Sequence, residues 1–151
     1  MMTKEDIINA QKEWSEGIIK MGKLSKDRSS LELFVNEFLD KLYDFDNQVL
    51  FKPTKAKEVP FRNNKELAIS YFIAGNNRKC IEDKGFALSK WSKITFNNSD
   101  IILIGETGIA MGNYTFENND SKIEVEFSFG YKEINQSIKI ILHHSSIPYQ
   151  S

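Results

Sequence analysis

Both histidines of the chain stand side by side near its end, in the run LHHSSIPY at residues 142–149, and each is followed two positions later by a serine. Imidazole can donate, accept or exchange a proton near neutral pH, and a hydroxyl can donate to or accept from a small substrate. These side chains therefore have the most chemistry to offer. On an extended strand alternate residues share a face. In SIKIILHHSS, Ile138, Ile140 and Leu142 share the apolar face, and carrying that parity forward places His144 and Ser146 on it, at the rim of the interior. His143 and Ser145 then fall with Lys139 and Ile141 on the opposite face. Neighbouring histidines that diverge cannot readily hold one metal together, and the lone cysteine, Cys80, cannot supply a thiolate cluster. The alternative for His144 is a hydrogen-bonded, partly buried residue with no chemical role.

Other polar candidates lie upstream. Thr54 follows Pro53 at the end of the apolar run VLFKP, where it can reach inward or organise a turn. Tyr71 falls on the apolar stripe of NNKELAISYF, so its hydroxyl needs a partner if the ring is enclosed. Lys52 and Arg62 flank the same region and could offer positive charge to a small anion, although solvated positions suit both.

The elements that must position these groups divide the chain into two halves. Ile7, Trp14, Ile18 and Met21 recur at helical spacing behind a Thr3–Asp6 capping signal, and Leu31, Phe34, Val35, Phe38 and Leu42 form a second stripe after the polar break KLSKDRSS. A short strand over VLFKP precedes a third helix, with Asn63 as its candidate cap and Leu67, Ala68, Tyr71 and Phe72 as its buried side. Beyond AGNNRKCIEDKG come the alternating runs WSKITF, DIILIG, GIAMGNYTF, KIEVEFSFGY and SIKIILHH, read as strands of one antiparallel sheet. In KIEVEFSF, Ile123, Val125, Phe127 and Phe129 face the core, which turns Glu124 and Glu126 outward. Helices first and a meandering sheet afterwards predict one α+β domain over residues 1–151, with a curved sheet wrapped on the helices.

Composition narrows the function further. Twenty basic against twenty-one acidic side chains give a formal charge of −1, so no strong field gathers nucleic acid or an anionic membrane. No apolar run approaches the length of a membrane span, and MMTKEDIINA lacks the pattern of a secretory leader, which points to a cytoplasmic protein. Glycine-rich phosphate loops, nucleophile elbows and helical zinc pairs are absent from the sequence.

The stretches DKLYDFDNQVLFKPTKAKEVPFR, ELAISYFIAGN, EDKGFAL, AMGNYTF, FSFGYK and LHHSSIPY resemble the iota-class carbonic anhydrases from about Asp40 to Tyr149. Their domain is similar to the cone-shaped nuclear transport factor 2-like fold and to the association domain of calmodulin-dependent kinase II. The resemblance implies reversible hydration of carbon dioxide to bicarbonate by a homodimer. It assigns catalytic roles to Thr54, Tyr71, His144 and Ser146, with Thr54, Tyr71, Ser146, Ser145 and His143 as the substrate-binding set. Members differ over manganese or zinc, but the ligand spacing of this chain supports no metal and no cofactor. Apolar walls are expected from Ile138, Ile140, Leu142 and Phe127. Two other readings stay open. A non-catalytic association module would use the outer sheet face, including His143 and Ser145, for contact. A cyclase-like or isomerase-like enzyme of the same fold usually needs an inward carboxylate, and Glu124 and Glu126 point away.

Overall fold

The computed structural model describes residues 1–151. Helix α1 spans Lys4–Lys23 and starts where the sequence signals it: the Asp6 backbone N–H donates to Thr3 Oγ1 while the Thr3 N–H donates to the Asp6 carboxylate. Its buried side carries Ile7, Gln11, Trp14, Ile18 and Met21. Helix α2, Arg28–Leu42, is capped by Asp27 and buries Leu31, Val35, Phe38, Leu39 and Leu42. Gly17 lets the two helices approach, because a Cβ there would collide with the Phe38 ring. Helix α3, Lys65–Ile73, is capped by Asn64 rather than Asn63, since the Asn64 side chain accepts from the Leu67 N–H.

The strands are β1 (Leu50–Lys52), β2 (Lys93–Ile104), β3 (Thr107–Glu117), β4 (Lys122–Ile134) and β5 (Ser137–Ser146), in the sheet order β1-β5-β4-β3-β2. The sheet is α+β in setting, as expected, but mixed rather than wholly antiparallel, because β1 runs parallel to β5. The long connection that a parallel pair requires is supplied by everything between the two strands in the chain, α3 and β2 to β4. WSKITF and DIILIG are also not two strands. They form one long β2, and the polar NNSD between them is absorbed by a bulge at Ser99, opposite Gly112, where a Cβ would collide with the Asn97 carbonyl oxygen.

A second bulge decides the orientation of the site. On β4, Val125, Phe127, Phe129 and Tyr131 all face the core. Tyr131 pairs with Ile140, but the next residue back on β4, Gly130, pairs with Leu142, so Ile141 is an extra residue without a partner. One inserted residue reverses the faces of everything beyond it. His143 opposite Phe129 and Ser145 opposite Phe127 therefore point inward, at 2% and 1% exposure, while His144 is exposed. The expectation of inward His144 and Ser146 is corrected here: strict alternation holds only up to Ile140.

Between the helices and the inner sheet face lies one connected core of 28 buried residues, many of them aromatic. It joins elements from both halves of the chain, from Met2 to Ile140.

Candidate active site

The inward end of β5 meets residues from four other elements. His143 is sandwiched between the rings of Phe51 in β1 and Phe129 in β4, at centroid separations of 4.6 and 4.1 Å. Both are its cross-strand partners, so sheet register alone builds the sandwich. The Trp14 ring meets the imidazole edge-on. His143 Nδ1 lies 2.8 Å from the Tyr43 hydroxyl, and Nε2 lies 3.0 Å from the Tyr114 hydroxyl. Tyr114 OH is also 2.6 Å from Ser145 Oγ, which in turn is 2.6 Å from Thr54 Oγ1. A line of polar atoms thus runs from the imidazole to Thr54.

Thr54 sits just beyond β1, whose parallel pairing with β5 brings it level with Ser145. The third helix presents Tyr71, whose hydroxyl accepts from the Lys55 backbone N–H at 3.3 Å. The structure therefore joins Thr54 to Ser145, with Tyr71 beside them through Lys55, but leaves His144 and Ser146 outside. A cavity of about 380 Å³ opens at Tyr71, Lys55 and Phe86 and has Glu82, Asp83, Lys84 and Ser89 around its walls. Of the expected apolar walls, Phe127 and Ile140 are buried on the inner side, whereas Leu142 follows the bulge and shares the face of His144. A depression of about 460 Å³ on the other sheet face, lined by Met111, Asn113, Glu126, His144 and Ser146 among others, contains no hydroxyl–imidazole line. The inner set is the better candidate because its polar groups are buried and mutually bonded.

Burial determines the protonation states. It holds the His143 imidazole well below its ordinary value near 6.5, with a smaller push from neighbouring His144. It raises Tyr71 and Tyr114 well above the ordinary phenol value, so both remain hydroxyls at any working pH. The positive candidates are already engaged. Lys52 Nζ donates to the Pro53 and Ser145 carbonyl oxygens, and Arg62 is fully buried in a two-point pair with Asp83. Neither is a free anion site; both hold the segment that carries Thr54.

A pH effect on stability follows. Below pH about 6.5 the unfolded chain protonates this imidazole and the folded chain does not, so the unfolded state binds more protons and stability falls as pH falls. Urea midpoints between pH 6.5 and 5.0 should show a loss approaching about 1.4 kcal/mol per pH unit, absent in His143→Gln. Equal slopes in the two proteins would place His143 in solvent.

No three His, Cys, Asp or Glu side chains come close enough together to hold a metal ion. A family described as metal-independent carbonic anhydrase matches residues 5–147. The chain belongs to the metal-independent carbonic anhydrases. Membership makes the reaction the reversible hydration of carbon dioxide to bicarbonate. A metal-independent carbonic anhydrase of Nostoc sp. (strain PCC 7120) is 33% identical over 99% of this chain and 75% of its own length. The crystal structure of an iota-carbonic anhydrase from a cyanobacterium, complexed with bicarbonate, superposes with a TM-score of 0.93 at 30% identity, covering 99% of this chain and 94% of that one. A nuclear transport factor 2-like protein of unknown function from Shewanella oneidensis shares the fold alone, with a TM-score of 0.61 at 16% identity over 96% and 99% of the two chains. No helix of this anhydrase is long and apolar enough to cross a membrane.

Sequence reasoning missed Tyr114, Tyr43 and the inward use of His143 and Ser145. The signal for Tyr114 was available, since GIAMGNYTF alternates Ala110, Gly112, Tyr114 and Phe116 on the inner face. Nothing in IKIILHH marks the bulge, because its apolar residues occupy both faces.

Proposed function

We propose that this carbonic anhydrase binds carbon dioxide and bicarbonate at the inner end of β5, against Thr54, Tyr71 and Ser145, with Tyr114 and His143 holding Ser145 in place. The observation that carries this reading is the hydrogen-bonded line from His143 through Tyr114 and Ser145 to Thr54, which ends beside the Tyr71 hydroxyl. In hydration, a water oxygen forms a bond to the carbon of carbon dioxide, one C=O electron pair moves to an oxygen, and the water loses a proton. Negative charge grows on the oxygens of the product. Hydroxyls already positioned at those oxygens stabilise that charge more than they stabilise linear, neutral carbon dioxide. His143, neutral and engaged at both nitrogens, supports this set in place of acting as a base, and the proton leaves through the cavity to solvent.

The whole of residues 1–151 serves as one catalytic domain in this reading, in keeping with a single core built from both halves of the chain. Two copies pair through the outer sheet face, where Ile102, Ile104 and Met111 are more than half exposed and Met111 lines the depression that holds His144 and Ser146. A cytoplasmic setting suits the one unpaired, buried cysteine. A bicarbonate-soaked crystal tests the placement. Bicarbonate oxygens are expected within hydrogen-bond distance of Thr54, Tyr71 and Ser145, and occupancy beside His144 and Ser146 alone would overturn it.

A further inference from the structure

Two residues remote from the cavity converge on His143 from the helical layer. Trp14 lies in the middle of α1, and Tyr43 follows the last turn of α2 and bridges to Ile140. The Trp14 indole N–H donates to the Tyr43 hydroxyl at 3.0 Å, and the same hydroxyl meets His143 Nδ1 at 2.8 Å. Tyr43 is 1% exposed and stacks on Phe45, so these two atoms are its polar neighbours in the protein.

Their donor and acceptor capacities settle the direction of each bond. Indole nitrogen only donates, so the Tyr43 oxygen must accept from Trp14. The buried Tyr43 hydrogen then has Nδ1 as its one acceptor among the side chains it meets, and it would be left unpaired if Nδ1 carried a proton. Nδ1 therefore accepts. A neutral imidazole carries its proton on the nitrogen that does not accept, so Nε2–H donates to Tyr114. Tyr114, having accepted from His143, donates its own hydrogen to Ser145 Oγ, 2.6 Å away. Ser145 then has its proton free for Thr54 or for a substrate oxygen.

We infer that Trp14, acting through Tyr43, is a positioning residue that fixes His143 as the Nε2–H tautomer and so aims a chain of donors from the core toward the substrate oxygens. This rests on the placement of the reaction at Ser145 and Thr54. It gives the site a polarity that its residue types alone do not. With the other tautomer the same atoms run backwards: Tyr114 donates to Nε2, Ser145 to Tyr114, and Ser145 reaches the substrate as an acceptor. The growing charge on bicarbonate then meets lone pairs, which repel it. The tautomer is thus set in the helices and read in the sheet.

The test is nitrogen NMR on protein carrying labelled histidine, with His144→Gln used to assign the two rings. Wild type should show His143 as a single neutral tautomer, with Nε2 protonated and Nδ1 bare but hydrogen-bonded. Trp14→Phe should bring in the Nδ1–H tautomer and lower kcat about fivefold with KM changed less than twofold, the size of one lost neutral hydrogen bond. Tyr43→Phe should move the Nδ1 signal to the value of a lone pair without a donor. An Nδ1–H tautomer in wild type overturns the inference, and so does an Nδ1 signal unchanged in Tyr43→Phe. A single Nε2–H tautomer with full kcat in Trp14→Phe overturns it as well. These spectra need no substrate, so such results would leave the placement of the reaction standing. A fully active Ser145→Ala would do the reverse.

Discussion

Ser145→Ala lowers the rate of oxygen-isotope exchange between carbon dioxide and water by about 10²-fold, on the scale of removing one aligned donor from a developing oxyanion. Ser146→Ala leaves the rate within twofold. The contrast follows from one inserted residue. Ser145 is 1% exposed and touches both Tyr114 and Thr54, whereas Ser146, on the other face, has no side-chain partner in the protein. Far-ultraviolet circular dichroism should match wild type in both variants, because the Ser145 hydroxyl supports no element of the backbone. Full activity in Ser145→Ala together with loss in Ser146→Ala would restore the uninterrupted strand parity and contradict the inner site.

The second large effect is on stability. Arg62 and Asp83 are both fully buried at their side chains, and the guanidinium meets the carboxylate through two hydrogen bonds of 2.8 Å each. Arg62 also donates to the Val59 and Leu67 carbonyl oxygens, and Ser70 donates to Asp83, so the pair ties the segment after Thr54 to α3. Asp83→Ala strands a buried guanidinium and should cost about 3–5 kcal/mol. That is a large part of the roughly 5–15 kcal/mol that holds a domain together. A urea titration should show the midpoint falling accordingly. The double replacement Arg62→Met with Asp83→Leu should recover most of the loss, because no charge is then left without a partner. Its activity should stay below wild type, since the guanidinium lies 5.8 Å from the Tyr71 ring and helps seat that helix. A single Asp83→Ala variant as stable as wild type would show that the pair is open to water.

Much of this architecture was legible in the sequence, for physical reasons. Trp14, Ile18 and Met21, and Leu31, Val35 and Phe38, recur at the helical period because each stripe must face the core, and Thr3 with Asp6 satisfies the free N–H groups that begin α1. Val125, Phe127 and Phe129 alternate with glutamates and a serine because one face of β4 is covered and the other is not. Thr54 and Tyr71 stood out by their places after VLFKP and on the stripe of the third helix, and the resemblance gave them roles; in the structure Thr54 bonds to Ser145 and Tyr71 to the Lys55 N–H. The orientation of the histidine run was not legible. Strand parity can be read only where polarity alternates, and IKIIL offers apolar residues on both faces, so the slip at Ile141 leaves no trace. Tyr43, Tyr114 and Trp14 were hidden for another reason. Among many aromatic side chains, nothing local separates a ring that only packs from one whose hydroxyl or indole N–H meets a histidine far away in the chain. That distinction appears only when the layers close.

In the proposed site a line of buried hydroxyls supported by a neutral imidazole hydrates carbon dioxide with no metal ligand set. Oxygen-isotope exchange on the purified protein, measured before and after exhaustive chelation and dialysis, tests it most directly. The rate should be unchanged by chelation and should not rise when zinc or manganese is added back. A rate that vanishes on chelation and returns with either metal would mean that a bound metal, and not the hydroxyl line, activates the water.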